Sequence, residues 1–379
     1  MMTAKANAKN SSEVKQSNRT AVLNWLLQEQ PLSRSRLVEL TGLSFPTITH
    51  LINDLIQEGI AQEGVGVVIS QTRMGRRRQL LELVAGSRMA LAIHLGSPGA
   101  QVGLVDLLGN IIIAEPIMPE LAQSASQANL QAIFEQARAL VRPHHAIVGV
   151  GIGYPSIPWD DVDIHMLSRD FFDLPTTIHN NVQAMALGEY IFGQKRSVHS
   201  LVFVYVGRGI GSGIIINGGL WRGFTGNAGQ DLGHIRITDA PVQCRCGRTG
   251  CLEAIASETA LLHRARDLLK LPNAEPDHVL DRLRYDQASA EALLYDIGHK
   301  LYSGIDTLAA IVNPEMIVIG GRLARIGTAL LDGIGTAVQE RQPGNPIEIQ
   351  TSVLGEDVGL IGAGALSLLD QIYSPQFST

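Results

Sequence analysis

Between residues 19 and 58 the apolar positions recur at helical spacing. Val22, Leu23, Leu26 and Leu27 form one stripe within residues 19–29, and Ile48, Leu51, Ile52 and Leu55 form another. Between the stripes, Ser33 is placed to cap a short helix over Arg34–Thr41, Gly42 supplies a turn, and Ser44 caps a third helix that Gly59 stops. Phe45, Pro46, Thr47, Thr49, His50 and Asn53 fall off the apolar stripe, outward or near the helix start. Helix, glycine-containing turn and helix match the helix-turn-helix, whose second helix presents its N-terminal residues to base edges in the major groove. Two β-type runs, AQEGVGVVIS and RRRQLLELV, then flank a polar tip and predict a wing.

From Met89 the period changes. LAIHLGSPGAQVGLVDLLGNIII reads as three strands with glycine turns, AIVGVGIGYP as a strand, LVFVYVGRGIGSGIIING as a hairpin and MIVIGG as a further strand. Helices are expected at 126–140, 182–193, 255–270, 288–312 and 324–338. This alternation implies a layered α/β body.

Length and charge sharpen the picture. A chain of 379 residues can bury two or three cores, so several domains are expected. No apolar run approaches the ~20 residues of a membrane span, and Met1 to about Gln16 is polar, without the apolar core of a signal peptide. A cytoplasmic protein is the expectation. The net charge of −6 is unevenly spread: residues 1–86 carry ten Lys and Arg against seven Asp and Glu, the remainder twenty against twenty-nine. A mildly basic head on an acidic body permits a double-stranded DNA partner. Thr47, Thr49 and His50 are the candidates for base reading, with Ser44 and Pro46 opening the same helix. Arg34 and Arg36 are placed for phosphates. Arg76, Arg77 and Arg78 beside Gly75 form a wing tip suited to a narrow minor groove.

All three cysteines fall in Cys244-Arg-Cys246-Gly-Arg-Thr-Gly-Cys251, ten residues after His234. Thiolates plus imidazole are the ligand set of a tetrahedral structural zinc, with bonds of roughly 2.0–2.3 Å. An odd cysteine count without signs of export argues against a disulfide. The alternative is a set of small buried apolar side chains. Gly207-Arg-Gly209-Ile-Gly211-Ser-Gly213 is a glycine loop that suits either a phosphate or a tight hairpin, and no Lys-Ser/Thr follows to make a Walker A motif.

Together these residues resemble the ROK family (repressors, open reading frames and kinases), most closely its Mlc/NagC type of sugar-responsive repressor. The resemblance runs from Asn18 to about Ser367. Its most specific parts are Asp231-Leu-Gly-His234 and Cys244-x-Cys-Gly-x-x-Gly-Cys251-Leu-Glu253, joined by LSRSRLVELTGLS, NPEMIVIGG and LGEDVGLIGAGAL. It implies a winged helix-turn-helix (1–86) before a two-lobed, actin-like (ribonuclease H-like) sugar-kinase body. The first lobe would span 87–190 and be completed by 355–379, and the second, with the zinc loop, 191–354. It further implies zinc on His234, Cys244, Cys246 and Cys251, a homodimer or homotetramer built through the body, and a sugar held by Asn180, Asp231, His234 and Glu253, with Asn181 beside them.

Departures from the kinase pattern point away from catalysis. Kinases open the body with Asp-x-Gly-Gly-Thr, where this chain has His94-Leu-Gly96-Ser-Pro98. Their general base is the Asp of an Asn-Asp pair, here Asn180-Asn181, and an amide cannot accept the hydroxyl proton. Arg208 replaces the usual Thr of the second phosphate loop, and Asp231 is shorter than the usual Glu. The segment between Pro155 and Asn180 is short, with Ser156 for glycine, which unsettles the pocket shape. The expectation is a non-enzymatic, sugar-responsive regulator of DNA. The rivals are an ATP-dependent sugar kinase with an added head and a regulator that answers to a protein partner. Replacing Arg76 and Arg77 by Ala should weaken DNA binding and flatten the slope of log K against log salt by about 1–2, roughly one for each phosphate no longer neutralised. Anisotropy titrations at several salt concentrations check this, and an unchanged slope returns the arginines to solvent.

Overall fold

The computed structural model describes residues 11–64, 79–96, 99–123, 126–143, 145–155, 163–273, 275–326, 328–341 and 347–373. Arg76, Arg77, Arg78, Pro98 and Ser156 lie outside the described residues.

Among the described residues the head has three helices: Ser11–Glu29, Arg34–Thr41 and Phe45–Gln57. Ser33 caps the second by accepting from the Arg36 N–H at 3.2 Å, and Ser44 caps the third through the Thr47 N–H at 3.3 Å. Gly42 takes φ 70°, a left-handed geometry that glycine adopts without a Cβ penalty, and so ends the second helix. Both apolar stripes are buried in one core with Leu32, Leu37 and Leu81. Strands β1 (Leu32–Ser33), β2 (Ala61–Gly64) and β3 (Leu80–Leu83) form an antiparallel sheet in the order β1-β3-β2. The first helix is longer than its apolar stripe, because residues 11–18 continue it on polar side chains with little apolar support.

Among the described residues, two five-stranded sheets build the body. The first contains β4 (Met89–His94), β5 (Gln101–Asp106), β6 (Ile111–Pro116), β7 (Ile147–Tyr154) and β8 (Thr176–Asn180), in the order β6-β5-β4-β7-β8. The second contains β9 (Leu201–Val206), β10 (Ile210–Ile216), β11 (Gly219–Leu220), β12 (Met316–Gly320) and β13 (Glu348–Thr351), in the order β11-β10-β9-β12-β13. In each sheet the first three strands meander antiparallel and the last two add in parallel. The same topology thus occurs twice, which makes the body two-lobed and actin-like.

Helix Asn181–Gly188 is buried at every residue and packs on both β10 of the second sheet and helix Val358–Leu368 of the first. The two helices touch through glycines: a Cβ on Gly188 would lie 2.7 Å from the Gly362 Cα. Gly149 and Gly151 leave one face of β7 bare, so helix Val358–Leu368 lies directly on the strand. The second lobe carries helices Leu252–Ala256, Glu258–Leu269, Pro276–Tyr285, Gln287–Val312 and Ala329–Arg341. The last begins later than the expected residue 324, because Arg322–Arg325 instead form a 3-10 turn after Gly321, whose φ is 103°. No described helix is long and apolar enough to cross a membrane.

A Cβ on Gly151 would collide with the backbone oxygen of Ala363, which no side-chain rotation relieves. Gly151→Ala should therefore cost about 1–3 kcal/mol or more. Urea unfolding of the body transition checks this, and a stability within about 0.5 kcal/mol of the parent contradicts such close packing.

Candidate functional site

At the head, Ser44, Phe45, Pro46 and His50 are exposed on or beside the start of the third helix, while Thr47 and Thr49 are half-buried. The hydroxyls of Thr47 and Ser44 are 2.8 Å apart, and Thr49 donates to the Phe45 carbonyl at 2.9 Å. Free rotation of these hydroxyls is thus limited, and Thr47 shares its capping serine. His50 stands 3.6 Å from Asp54, one turn on. Arg34 is held by Glu63 at 3.0 Å and reaches Asn53, while Arg36 lies between Glu39 (3.1 Å) and Glu29 (3.8 Å). Either arginine would have to leave a carboxylate to meet a phosphate. Phe45, 53% exposed at the very start of the helix, is a surface feature that periodicity leaves without a role.

Four ligand atoms converge in the second lobe. One atom each of His234, Cys244, Cys246 and Cys251 lie within 4.8 Å of one another. Cys244 Sγ to His234 Nδ1 and Cys246 Sγ to Cys251 Sγ are both 3.7 Å. A tetrahedral centre with bonds of roughly 2.0–2.3 Å has edges of about 3.5–3.8 Å, so the donors are spaced for a metal and too far apart for a disulfide. The loop arises locally: Gly247 and Gly250 adopt φ 85° and 72°, and the Cys244 N–H bonds the Arg248 carbonyl at 2.8 Å. Hydrogen bonds from the Arg248 backbone and side chain hold the Cys246 thiol down to about 6, whereas burial pushes Cys251 up to about 11. These four residues could hold a metal ion, and the soft donor set is that of zinc.

The residues expected to meet a sugar fall into two groups. In one, Asn180 caps helix Asn181–Gly188, its side-chain carbonyl accepting from the Val182 N–H at 2.9 Å. Asn181 follows, 9% exposed, and its amide nitrogen would lie 3.3 Å from a Cβ on Gly96. His94 is buried in the same place, packed on Gly96 and Gly359: a Cβ on Gly359 would be 2.6 Å from the imidazole. Its Nδ1 finds no hydrogen-bond partner among the described residues. Burial alone pushes the His94 pKa down to about 4, so the ring is neutral near pH 7.

In the other group, Asp231 is exposed and His234 half-buried on the turn Gln230–His234, while Glu253 is buried at the start of helix Leu252–Ala256. Glu253 does not stand free. It accepts from the Ile210 N–H at 3.0 Å and is clasped by Arg245 at 2.5 and 3.1 Å. Arg245 sits between two of the cysteines, and only the folded loop brings it onto Glu253. Because Nδ1 of His234 faces Cys244, Nε2 is left for other partners.

Two sheets of one topology about a shared buried helix, behind a helix-turn-helix head, define a two-lobed actin-like protein carrying a DNA-binding type of module. The ROK family pattern matches residues 90–369, and the chain belongs to the ROK family. The xylose repressor of Caldicellulosiruptor bescii is 27% identical, the alignment covering 97% of this chain and 100% of the relative. Escherichia coli NagC, named a DNA-binding transcriptional dual regulator, is 27% identical over 86% of this chain and 85% of its own. A solved ROK family transcriptional regulator, a homolog of the E. coli MLC protein, superposes with a TM-score of 0.75 at 23% identity, covering 95% of this chain and 97% of its own. A ROK glucokinase from Streptomyces griseus, solved with glucose and AMPPNP, superposes with a TM-score of 0.63 at 25% identity, covering 73% of this chain and 98% of its own.

A histidine whose folded pKa is about 4 resists protonation that the unfolded chain accepts near 6.5. Its contribution to stability is complete above pH 6.5 and is lost as pH falls toward 4, by up to roughly 3 kcal/mol. His94→Leu should flatten stability between pH 6.5 and 4 relative to the parent. Denaturant titrations across that pH range check this, and an equal slope in both proteins contradicts it.

Proposed function

We propose that the chain is a sugar-responsive transcriptional repressor that binds double-stranded operator DNA and whose kinase-like body carries out no phosphotransfer. The observation that carries the second half is the packing at His94. Where the family's kinases present a carboxylate to the nucleotide's metal, this chain presents a neutral, buried imidazole against Gly96 and Gly359. Next to it Asn181 replaces the base, and its amide holds no proton-accepting site for a sugar hydroxyl. The relatives named repressors and the helix-turn-helix head support the first half.

In this reading Ser44, Pro46, Thr47, Thr49 and His50 meet bases and Arg34, Arg36 and the wing arginines meet phosphates. Phe45 joins them, offering an apolar face to a thymine methyl. Asn180, Asn181, Asp231, His234 and Glu253 hold the sugar between the lobes. The zinc, when bound, fixes His234 and the 244–251 loop and so sets the pocket wall. A physical route leads from the lobes to the head. Helix Val358–Leu368, packed on the interlobe helix, continues into Leu369–Tyr373, against which the first helix of the head lies. Arg88 also donates to the Glu58 carbonyl at 3.0 Å, tying the end of the third helix to the first lobe. A sugar that prefers one closure state shifts the population of head spacings by its difference in affinity, and operator affinity falls. Body-mediated oligomers would space two heads by about one helical turn, roughly 34–36 Å, or a multiple.

The test is fluorescence anisotropy on DNA from upstream of the gene, first alone and then with xylose, N-acetylglucosamine and other sugars and sugar phosphates. Binding released by one sugar is the expected result; binding that no sugar disturbs removes the effector role. Cys246→Ser should lower zinc below one per chain and abolish the response while DNA binding by the head persists. Coupled ADP release above background with any sugar would overturn the non-enzymatic reading.

A further inference from the structure

Beside the expected sugar residues, and sharing Glu253 with them, the cysteine loop and helices Glu258–Leu269 and Gln287–Val312 border an open hollow of about 510 Å³. In a body with an excess of acidic residues this hollow is lined by Arg208, Arg245, Arg264 and Lys300, against the carboxylate of Glu253. Arg264 and Lys300 share a single carboxylate, Asp296, at 2.5 and 2.7 Å. Arg245 is matched by Glu253, and Arg208 has no carboxylate partner among the described residues. Four cations thus meet two carboxylates, leaving two positive charges directed at one concave space. Ser257 and Thr259, at the start of helix Glu258–Leu269, also border it.

We infer that this hollow is a binding site for a phosphoryl dianion, held by Arg208, Arg264 and Lys300. A phosphate monoester carries about −1.5 to −2 at pH 7, which matches the uncompensated charge. Arginine forks suit its oxygens, and concave walls focus the field of like charges. Lys300, Val242 and Ile255 also border an adjoining hollow of about 430 Å³, lined further by Ile237 and Tyr302, with room for the uncharged part of an ester. The site shares Glu253 with the expected sugar residues but involves neither His94 nor Asn181, and the cations assigned to the phosphoryl group are none of those expected to meet a sugar. Arg264 and Lys300 are each 37% exposed at the side chain, so binding will be salt-sensitive.

Isothermal titration of the full-length, zinc-loaded protein with inorganic phosphate, glucose 6-phosphate and glucose tests the proposal at low ionic strength. Phosphate and glucose 6-phosphate should bind and glucose should not at this site. An ester binding several-fold more tightly than phosphate assigns the site to a phosphorylated metabolite, and equal affinities assign it to the free anion. Arg264→Gln with Lys300→Gln should weaken phosphate at least tenfold with zinc content unchanged. Arg208→Gln, at the exposed loop tip, should weaken it several-fold and guards against a folding defect in the pair. Absence of phosphate binding overturns the proposal. So does binding that survives these variants but is lost in Asn180→Ala, which would place the anion in the interlobe cleft and leave the effector reading intact.

Discussion

The structure depends on one helix having no solvent face. Asn181–Gly188 is buried along its whole length between the two sheets, and its first turn is closed by the Asn180 cap. Its Gly188 allows contact with Gly362, so the completing helix of the first lobe and the interlobe helix meet almost backbone to backbone. Such packing has few intermediate positions. A change in lobe closure must carry both helices together, and with them the Leu369–Tyr373 turn on which the head rests. The helix is capped by Asn180 and begins at Asn181, two residues expected to meet a sugar, so the expected ligand position lies at the helix that joins the two sheets.

The proposed non-enzymatic reading asks for only small substitutions in this setting. Replacing a metal-binding carboxylate with a histidine leaves a buried cation unless the ring stays neutral, and burial keeps it so. Glycines 96 and 359 leave the space the ring fills. His94 and Asn181, the two departures from the kinase pattern, lie side by side on Gly96, although 87 residues of sequence lead from one to the other.

In the cysteine loop, the geometry of a candidate metal site and charge are joined. Its four donors are spaced for a metal, and the residue between the first two cysteines, Arg245, reaches over to neutralise the buried Glu253. Loop geometry and the charge state of the pocket wall are therefore linked through one side chain. An ion pair of this kind costs desolvation for Glu253 that the Arg245 fork and the Ile210 N–H must offset. The same loop also closes the arginine-lined hollow, so the metal would organise two neighbouring concavities.

What the sequence determined by itself is what depends on neighbours in the chain. Ser33 and Ser44 as caps, Gly42 as a stop, the two apolar stripes and the cysteine spacing all follow from local geometry, and the structure places them accordingly. Tertiary structure decided the rest. Helix Val358–Leu368 shows no amphipathic period because it is buried all round, and β8 and β13 are short runs that become strands only by adding to the edge of a parallel pair. Arg34 bound to Glu63, Arg245 bound to Glu253, and Arg264 bound to Asp296 join residues 8 to 32 positions apart. Charge pairing depends on where side chains end in space, and composition along the chain does not record that.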